Sequence, residues 1–269
     1  MRTFIVASFS SSPFTGNPAG VCLLEEAASD SEMQAIASEL RQPETAFLLG
    51  EGQERPIRWF SPEVEIDLCG HATLAAAHVL WETGQVDRDQ PLSFASQRKG
   101  VLTATKLPDG PISMDFPASF GAPREPDASV IAAIDAVPLS AALFSDRWVF
   151  EFKTADQVRE VRPDFAALKA TGARSLIITA PSDQDEYDII SRNFAPIVGV
   201  NEDQVTGAAH TCLATYWQSR LGNRLRCWQA SQRGGGMITE LIGDRVMLQG
   251  QARIEFTGTF LRNGPGAVS

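Results

Sequence analysis

Two short stretches of the chain concentrate groups able to move protons and hold anions. The first is Cys69-Gly70-His71-Ala72-Thr73 and the second is Thr206-Gly207-Ala208-Ala209-His210. Each follows an acidic turn, Asp67 in one and Glu202-Asp203 in the other, and each opens a segment that reads as a helix. Glycine lets the backbone turn tightly and lets a ligand approach the amides. A helix start presents N–H groups without intrahelical partners and about half a positive charge. Two such starts suit a carboxylate, or an enolate forming from one. The imidazole of His71 suits hydrogen bonding or proton shuttling, and the helix dipole, which opposes protonation, predicts that it is neutral.

Glu44 adds a candidate acid–base. It stands in LRQPETAFLL, between a helix and an apolar strand. Apolar flanks that desolvate a carboxyl raise its pKa toward the range a general base and acid needs. His78 lies on a helix face similar to that of His71 and reads as an ordinary core or surface residue. Cys69 and Cys212 flank the two motifs, which allows a two-thiol stereoinversion chemistry. With His71 and His210 they also allow a Cys₂His₂ zinc set. The commoner fate of such cysteines is that of small buried hydrophobes. Lys99, Lys106, Lys153 and Lys169 all lie outside the motifs, which speaks against a pyridoxal Schiff base. The turn PFTGNPAGVCLL is too short for a phosphate-binding Walker loop and lacks its lysine.

The elements that must position these groups are legible in outline. TFIVAS, GVCLL, TAFLL and PIRWF read as short strands. Ser29 and Glu32 have capping-box spacing, and Met33, Ile36, Ala37 and Leu40 share one face, so a helix is expected over Ser29–Arg41. A second is expected from His71 to Glu82, stopped by Gly84, and a third from Ala208 to Leu221, ended by Gly222. A helix is also expected over Pro163–Ala170, with proline in its first turn. PASFGAPREPDAS, from Pro117 to Ser129, reads as a linker.

The halves on either side of that linker resemble each other. Arg58, Phe60, Pro62 and Val64 match Arg192, Phe194, Pro196 and Val198 without a gap, and a three-residue insertion then aligns Gly70 and Ala72 with Gly207 and Ala209. A repeat this long predicts two copies of one domain with a site between them.

Composition narrows the function classes. The chain has 269 residues, 43% hydrophobic and 21% charged, with a net charge of −10. Lys and Arg form no stripe, so nucleic acid and anionic membranes are poor partners. No apolar run approaches the roughly 18 residues of a membrane span. Four scattered cysteines without a CxxC fit reduced thiols, and the first residues lack a secretory apolar run, so the expected location is the cytoplasm.

FTGNPAGV, MQAIASELRQPETAFLL, IRWFSPEVEIDLCGHATLAAAHVL, MDFPA, and EDQVTGAAH followed by a tyrosine and QRGG together resemble the PhzF-like family of phenazine-biosynthesis proteins. The match keeps its order over nearly the whole chain. The resemblance implies a mixed α/β (α+β) fold of the diaminopimelate epimerase type. Its two pseudo-symmetric domains, 1–118 and 119–269, would each be a curled, mostly antiparallel sheet around a central helix, with the last residues packing back on the first domain. It implies a cofactor-independent, metal-free isomerase that moves a proton between carbons of a small carboxylated substrate, and a homodimer. It places the catalytic Glu, His and Asp on Glu44, His71 and Asp203, and substrate-binding positions on Asn17, Gly70, Ala72, Gly207, Ala208 and Ala209. Gln204 stands where the family usually has Pro, Ala208 where it has Ser, and Thr211 where Cys is common. The lost Ser hydroxyl removes a pocket hydrogen bond, on the order of 1.5–3 kcal/mol to a charged group. The alternatives are an epimerase or racemase of an amino-acid-like substrate, and an inactive homologue that binds small molecules or proteins.

Overall fold

The computed structural model describes residues 1–10, 12–97 and 100–261; Lys99 lies outside them. The chain forms two compact units. Unit 1 comprises Met1–Phe14, Pro18–Met114 and the chain from Gln251, and unit 2 comprises Thr15–Asn17 and Asp115–Gly250.

Unit 1 contains β1 (Arg2–Ser8), most of β2 (Asn17–Leu24), α1 (Asp30–Leu40), β3 (Glu44–Leu49), β4 (Glu54–Phe60), β5 (Glu65–Ile66), α2 (Gly70–Glu82), β6 (Leu92–Ser96), β7 (Gly100–Lys106) and the start of β8 (Ile112–Pro117). Unit 2 contains β9 (Ala122–Pro123), α3 (Ala128–Ile134), β10 (Ser140–Phe144), β11 (Arg147–Glu151), α4 (Ala155–Glu160), α5 (Phe165–Ala170), β12 (Ser175–Pro181), β13 (Ile189–Ala195), β14 (Val200–Asp203), α6 (Gly207–Leu221), β15 (Arg224–Gln229), β16 (Gly235–Ile242) and β17 (Arg245–Gly250). The last strand, β18 (Ala252–Thr259), returns to unit 1 and runs antiparallel to β1 from Arg2↔Thr259 to Ser8↔Ala252. The units meet at Met114/Asp115, and the chain rejoins unit 1 from Gln251, where β18 pairs with β1. The last ten or so residues, expected to pack on the first domain, lie almost wholly outside the described residues.

The two units repeat one topology. In unit 1, β2 and β3 are parallel, β3–β4 and β4–β5 antiparallel, β4 and β6 parallel, and β6–β7 and β7–β8 antiparallel. In unit 2, β11 and β12 are parallel, β12–β13 and β13–β14 antiparallel, β13 and β15 parallel, and β15–β16 and β16–β17 antiparallel. The long helix follows the fourth strand of each series. Both helices are buried around most of their circumference, α2 from His71 to Ala77 and again from Val79 to Trp81, and α6 from Ala209 to Ala214. A helix that is apolar on all sides must be wrapped by its sheet, and this accounts for the run of alanines. The fold is thus mixed α+β, with mostly antiparallel pairing in each unit.

Local chemistry explains the boundaries. Ser29 caps α1 by accepting from the Glu32 amide, and Arg41 ends it in the left-handed region at φ 50°. Pro43 follows and bars continuation. On α1, Met33, Ile36 and Ala37 pack with Cys22, Phe47 and Phe60, where the two rings meet edge-on at 5.5 Å. The segment expected as one helix over Pro163–Ala170 instead starts later. Asp164 is its cap, accepting from the Ala166 and Ala167 amides, and Pro163 precedes the cap. Among the described residues, no helix is long and apolar enough to cross a membrane. All four cysteines are free and buried.

Candidate active site

In unit 1 the site is assembled where β3 starts and α2 starts. β3 pairs in parallel with β2, with Ala19 opposite Glu44 and Gly20 opposite Thr45. Thr45 is fully buried. A Cβ on Gly20 would lie 2.7 Å from Thr45 Oγ1, so glycine leaves room for the buried Thr45 side chain beside Glu44. The Glu44 side chain keeps 20% of its exposure, and its Oε2 lies 3.1 Å from Nε2 of His71.

The start of α2 is fixed from three sides. Ser8 donates through Oγ to the His71 carbonyl at 2.7 Å, Thr73 Oγ1 donates to the Cys69 carbonyl at 2.7 Å, and Trp59 Nε1 donates to Thr73 Oγ1 at 3.1 Å. Cys69 occupies the N-cap in extended backbone, and its side chain makes no capping hydrogen bond. Its Sγ lies 3.4 Å from Nδ1 of His71 instead. Cys69 and His71 are both buried, at 6% and 8% exposure.

The expectation that His71 is neutral needs correction. Burial opposes its charge, but Cys69 and Glu44 outweigh burial and hold the imidazolium well above the ordinary histidine range. Burial also pushes the Cys69 thiol up. The dipole of the α2 start is opposed by the two acidic neighbours of the ring, Cys69 and Glu44. Glu44, Cys69 and His71 also form the group of donors, among the described residues, that could hold a metal ion, with their ligand atoms within 4.8 Å of one another.

In unit 2 the corresponding turn is a cage around Asp203, the last residue of β14. Its Oδ1 accepts from Asn17 Nδ2 at 2.8 Å and its Oδ2 from Thr206 Oγ1 at 2.6 Å. Asn17 is fully buried, and its Nδ2 also donates to the Val205 carbonyl at 2.9 Å. Gln229 bridges the turn. Its Oε1 accepts from the Thr206 amide at 2.8 Å, and its Nε2 donates to the Asp203 carbonyl at 2.8 Å. Asn193 Nδ2 reaches Thr206 Oγ1 at 3.1 Å. Sequence reasoning missed Gln229 and Asn193. The available signal was a polar residue in an inward slot: Leu225, Cys227 and Gln229 alternate as the buried side of β15.

The segment carrying Asn17 is clasped by the QRGG loop. Arg233 donates from Nε to the Gly16 carbonyl at 2.9 Å and from its terminal nitrogen to the Thr15 carbonyl at 3.2 Å. The Gly16 amide donates to Gly234 at 2.6 Å. Gln204, where proline was expected, accepts from the Arg233 amide at 3.2 Å.

Gly207 opens α6 with Thr206 as an N-cap that, like Cys69, makes no side-chain cap. Ala208 is exposed and Ala209 buried. The gapless alignment from Gly70–Gly207 onward sets His71 against Ala208, and His210 against Thr73, so the two motif histidines are not equivalents. His210 is fully buried, and its Nδ1 lies 2.8 Å from the Thr206 carbonyl, which makes Nδ1 the protonated nitrogen. Burial lowers its pKa to about 4. Thr73 makes the same backward bond to the Cys69 carbonyl, so His210 does a structural task. Cys212 turns its thiol to the Ala208 carbonyl at 3.5 Å. It aligns with Ala75, while Cys69 aligns with Thr206. The two thiols therefore hold different places in their units, and neither His210 nor Cys212 is turned outward as a zinc ligand. His78 is half-buried, and burial lowers its pKa.

Each unit thus gathers its own share of the expected site: Glu44, Gly70, His71 and Ala72 in the first, and Asn17, Asp203 and Gly207–Ala209 in the second. Comparison with known proteins identifies relatives along the whole chain. An isomerase of Halalkalibacterium halodurans, described as uncharacterised, is 42% identical over 253 residues, covering 93% of this chain and 94% of its own. The crystal structure of a PhzF-family phenazine biosynthesis protein from Enterococcus faecalis superposes with a TM-score of 0.91 at 39% identity, over 97% of this chain and 99% of that one. A predicted epimerase from Pseudomonas aeruginosa shares the fold, with a TM-score of 0.75 at 23% identity over 97% and 99% of the two chains. The phenazine biosynthesis-like (PhzC-PhzF) family pattern matches residues 6–258. With motifs, topology and relatives in agreement, the chain belongs to the PhzF-like family.

Proposed function

We propose that the protein is an isomerase that moves a proton between carbons of a small carboxylate-bearing substrate without a cofactor, with Glu44 as the single general base and acid. The observation that carries this reading is the Glu44–His71 pair, held at 3.1 Å on a largely buried strand start. A carboxylate so placed takes a proton from a carbon acidified by a neighbouring π-system and returns it to another carbon or face. His71 orients the carboxylate through Nε2. The amides at Gly70–Ala72 and Gly207–Ala209 are assigned to anionic groups of the substrate, because both helix starts open on glycine without a well-formed side-chain cap. Asp203 is assigned to substrate orientation, and its fixed geometry supports that role. Asn17 acts by holding Asp203. Return of the proton to the opposite face would make the same machinery an epimerase.

The test is to incubate the purified protein with cyclic and acyclic carboxylates in heavy water and follow deuterium at carbon by mass spectrometry. Glu44→Gln is expected to lower exchange by about 10²–10⁴-fold. Full-rate exchange in that variant rejects the reading. A homodimer, implied by the resemblance, is checked by sedimentation.

A further inference from the structure

We propose that Cys69 is a positioning residue: its thiol engages Nδ1 of His71 so that the ring keeps its proton on Nε2, the nitrogen facing Glu44. This rests on the role given to Glu44 above and extends it. An N-cap residue ordinarily spends its side chain on the second or third amide of its helix. Cys69 does not. Its Sγ sits 3.4 Å from His71 Nδ1, in a place where both residues are buried. Thr206, the N-cap at the matching point of unit 2, behaves alike. It makes no cap, and its hydroxyl goes to Asp203 at 2.6 Å. At both helix starts, then, the N-cap side chain reaches an ionisable group.

The consequence for His71 follows from its two protonation states. When the ring is cationic both nitrogens carry hydrogen, Nδ1–H meeting the sulfur and Nε2–H the Glu44 carboxylate. When the ring is neutral, a protonated thiol donates to bare Nδ1, and the remaining ring proton stays on Nε2. Burial, which keeps the thiol protonated, favours this second arrangement. Without the sulfur, a neutral ring is free to place its hydrogen on Nδ1 and turn a lone pair toward the carboxylate, which repels it. The locked tautomer also keeps Nε2 from taking the proton that Glu44 lifts from substrate, so that proton stays available for return.

The test needs no substrate. The full chain has only three histidines, so ¹⁵N-histidine labelling with His71→Gln and His78→Gln references assigns each ring. Long-range proton–nitrogen correlations then report the tautomers. His210, whose Nδ1 faces a carbonyl, serves as an internal Nδ1–H standard. Spectra are compared at a pH above the point where the His71 ring loses its charge, and the expected result there is the opposite tautomer, Nε2–H. Cys69→Ala should introduce a measurable Nδ1–H fraction, and Cys69→Ser, whose hydroxyl also donates, should restore the wild-type pattern. An Nδ1–H ring at His71 in the wild type overturns the proposal even if the alanine variant fails to fold, and so does an unchanged spectrum in a folded Cys69→Ala. If deuterium exchange survives Glu44→Gln while the tautomer result holds, the catalytic reading fails and the positioning result stands.

Discussion

The starts of α2 and α6 share one backbone plan and differ in what it carries. Both have an extended N-cap residue without a side-chain cap, then glycine, then small residues. The first surrounds its turn with a thiol, an imidazole and a half-buried carboxylate. The second surrounds its own with amides and hydroxyls that pin both oxygens of one carboxylate. A group that gains and loses a proton needs neighbours that accommodate either state; a group that orients a ligand needs neighbours that hold one state still. The difference teaches that a duplicated scaffold can separate these tasks while its glycine turns stay alike.

The largest test of that separation contrasts the two carboxylates. Glu44→Gln should remove about 10²–10⁴-fold of turnover, the share of a general base. Asp203→Asn should cost less, about 10–100-fold, as loss of one charge-assisted contact. Equal losses would merge the two roles.

Next comes the arginine that braces each turn. Arg192 grips Glu202 through two bonds, at 2.7 and 3.0 Å, and also donates to the Val158 and Val161 carbonyls, with its side chain 9% exposed. Arg58 grips Glu65 in the same way at 2.7 and 2.8 Å, but with twice that exposure, 18%. Arg192→Met should therefore destabilise by about 3–5 kcal/mol, as when a buried pair is broken. Arg58→Met should cost nearer the exposed-pair range, about 1 kcal/mol. Urea unfolding checks both, and equal midpoints would mean that the carbonyl contacts contribute nothing.

The most selective test is one of acid dependence. His210 titrates near 4 in the folded chain and near the ordinary value of about 6.5 when unfolded. The unfolded chain therefore binds the extra proton first. Stability should fall as pH drops below about 6.5 and level off near the folded value, a difference of about 3 kcal/mol from this residue. His210→Thr installs the residue that unit 1 uses at the matching point. The variant should keep the backward bond to residue 206 and lose that part of the acid dependence. Parallel wild-type and variant curves between pH 4 and 6.5 would assign the acid sensitivity elsewhere.

Much of this was legible in the sequence, for identifiable reasons. Gly70 and Gly207 with their small neighbours announced the helix starts, because the requirement is local. The Ser29 cap of α1 was local too. Thr154-Ala-Asp-Gln157 spells the complete capping box that starts α4, and it went unread because the helix is short and has no long apolar stripe. Pro163 suits a first helical turn, yet α5 starts two residues later because Asp164 takes the cap. The charge of His71 and the division of labour between the histidines were not legible. Each depends on a partner from another element, Glu44 from β3 in one case and the shielding sheet in the other. Gln229 was hidden for the same reason, since its two bonds reach back to a turn that precedes α6.

The pairing of β18 with β1 has a consequence for how the molecule is made. The strand that opens the chain receives this neighbour only after the whole of Asp115–Gly250 has been synthesised. Unit 2, nearly continuous in sequence, can therefore assemble on the ribosome while the first strand still shows a bare edge, the kind of surface through which sheets aggregate. Shortening the chain before Ala252 would leave that edge open permanently.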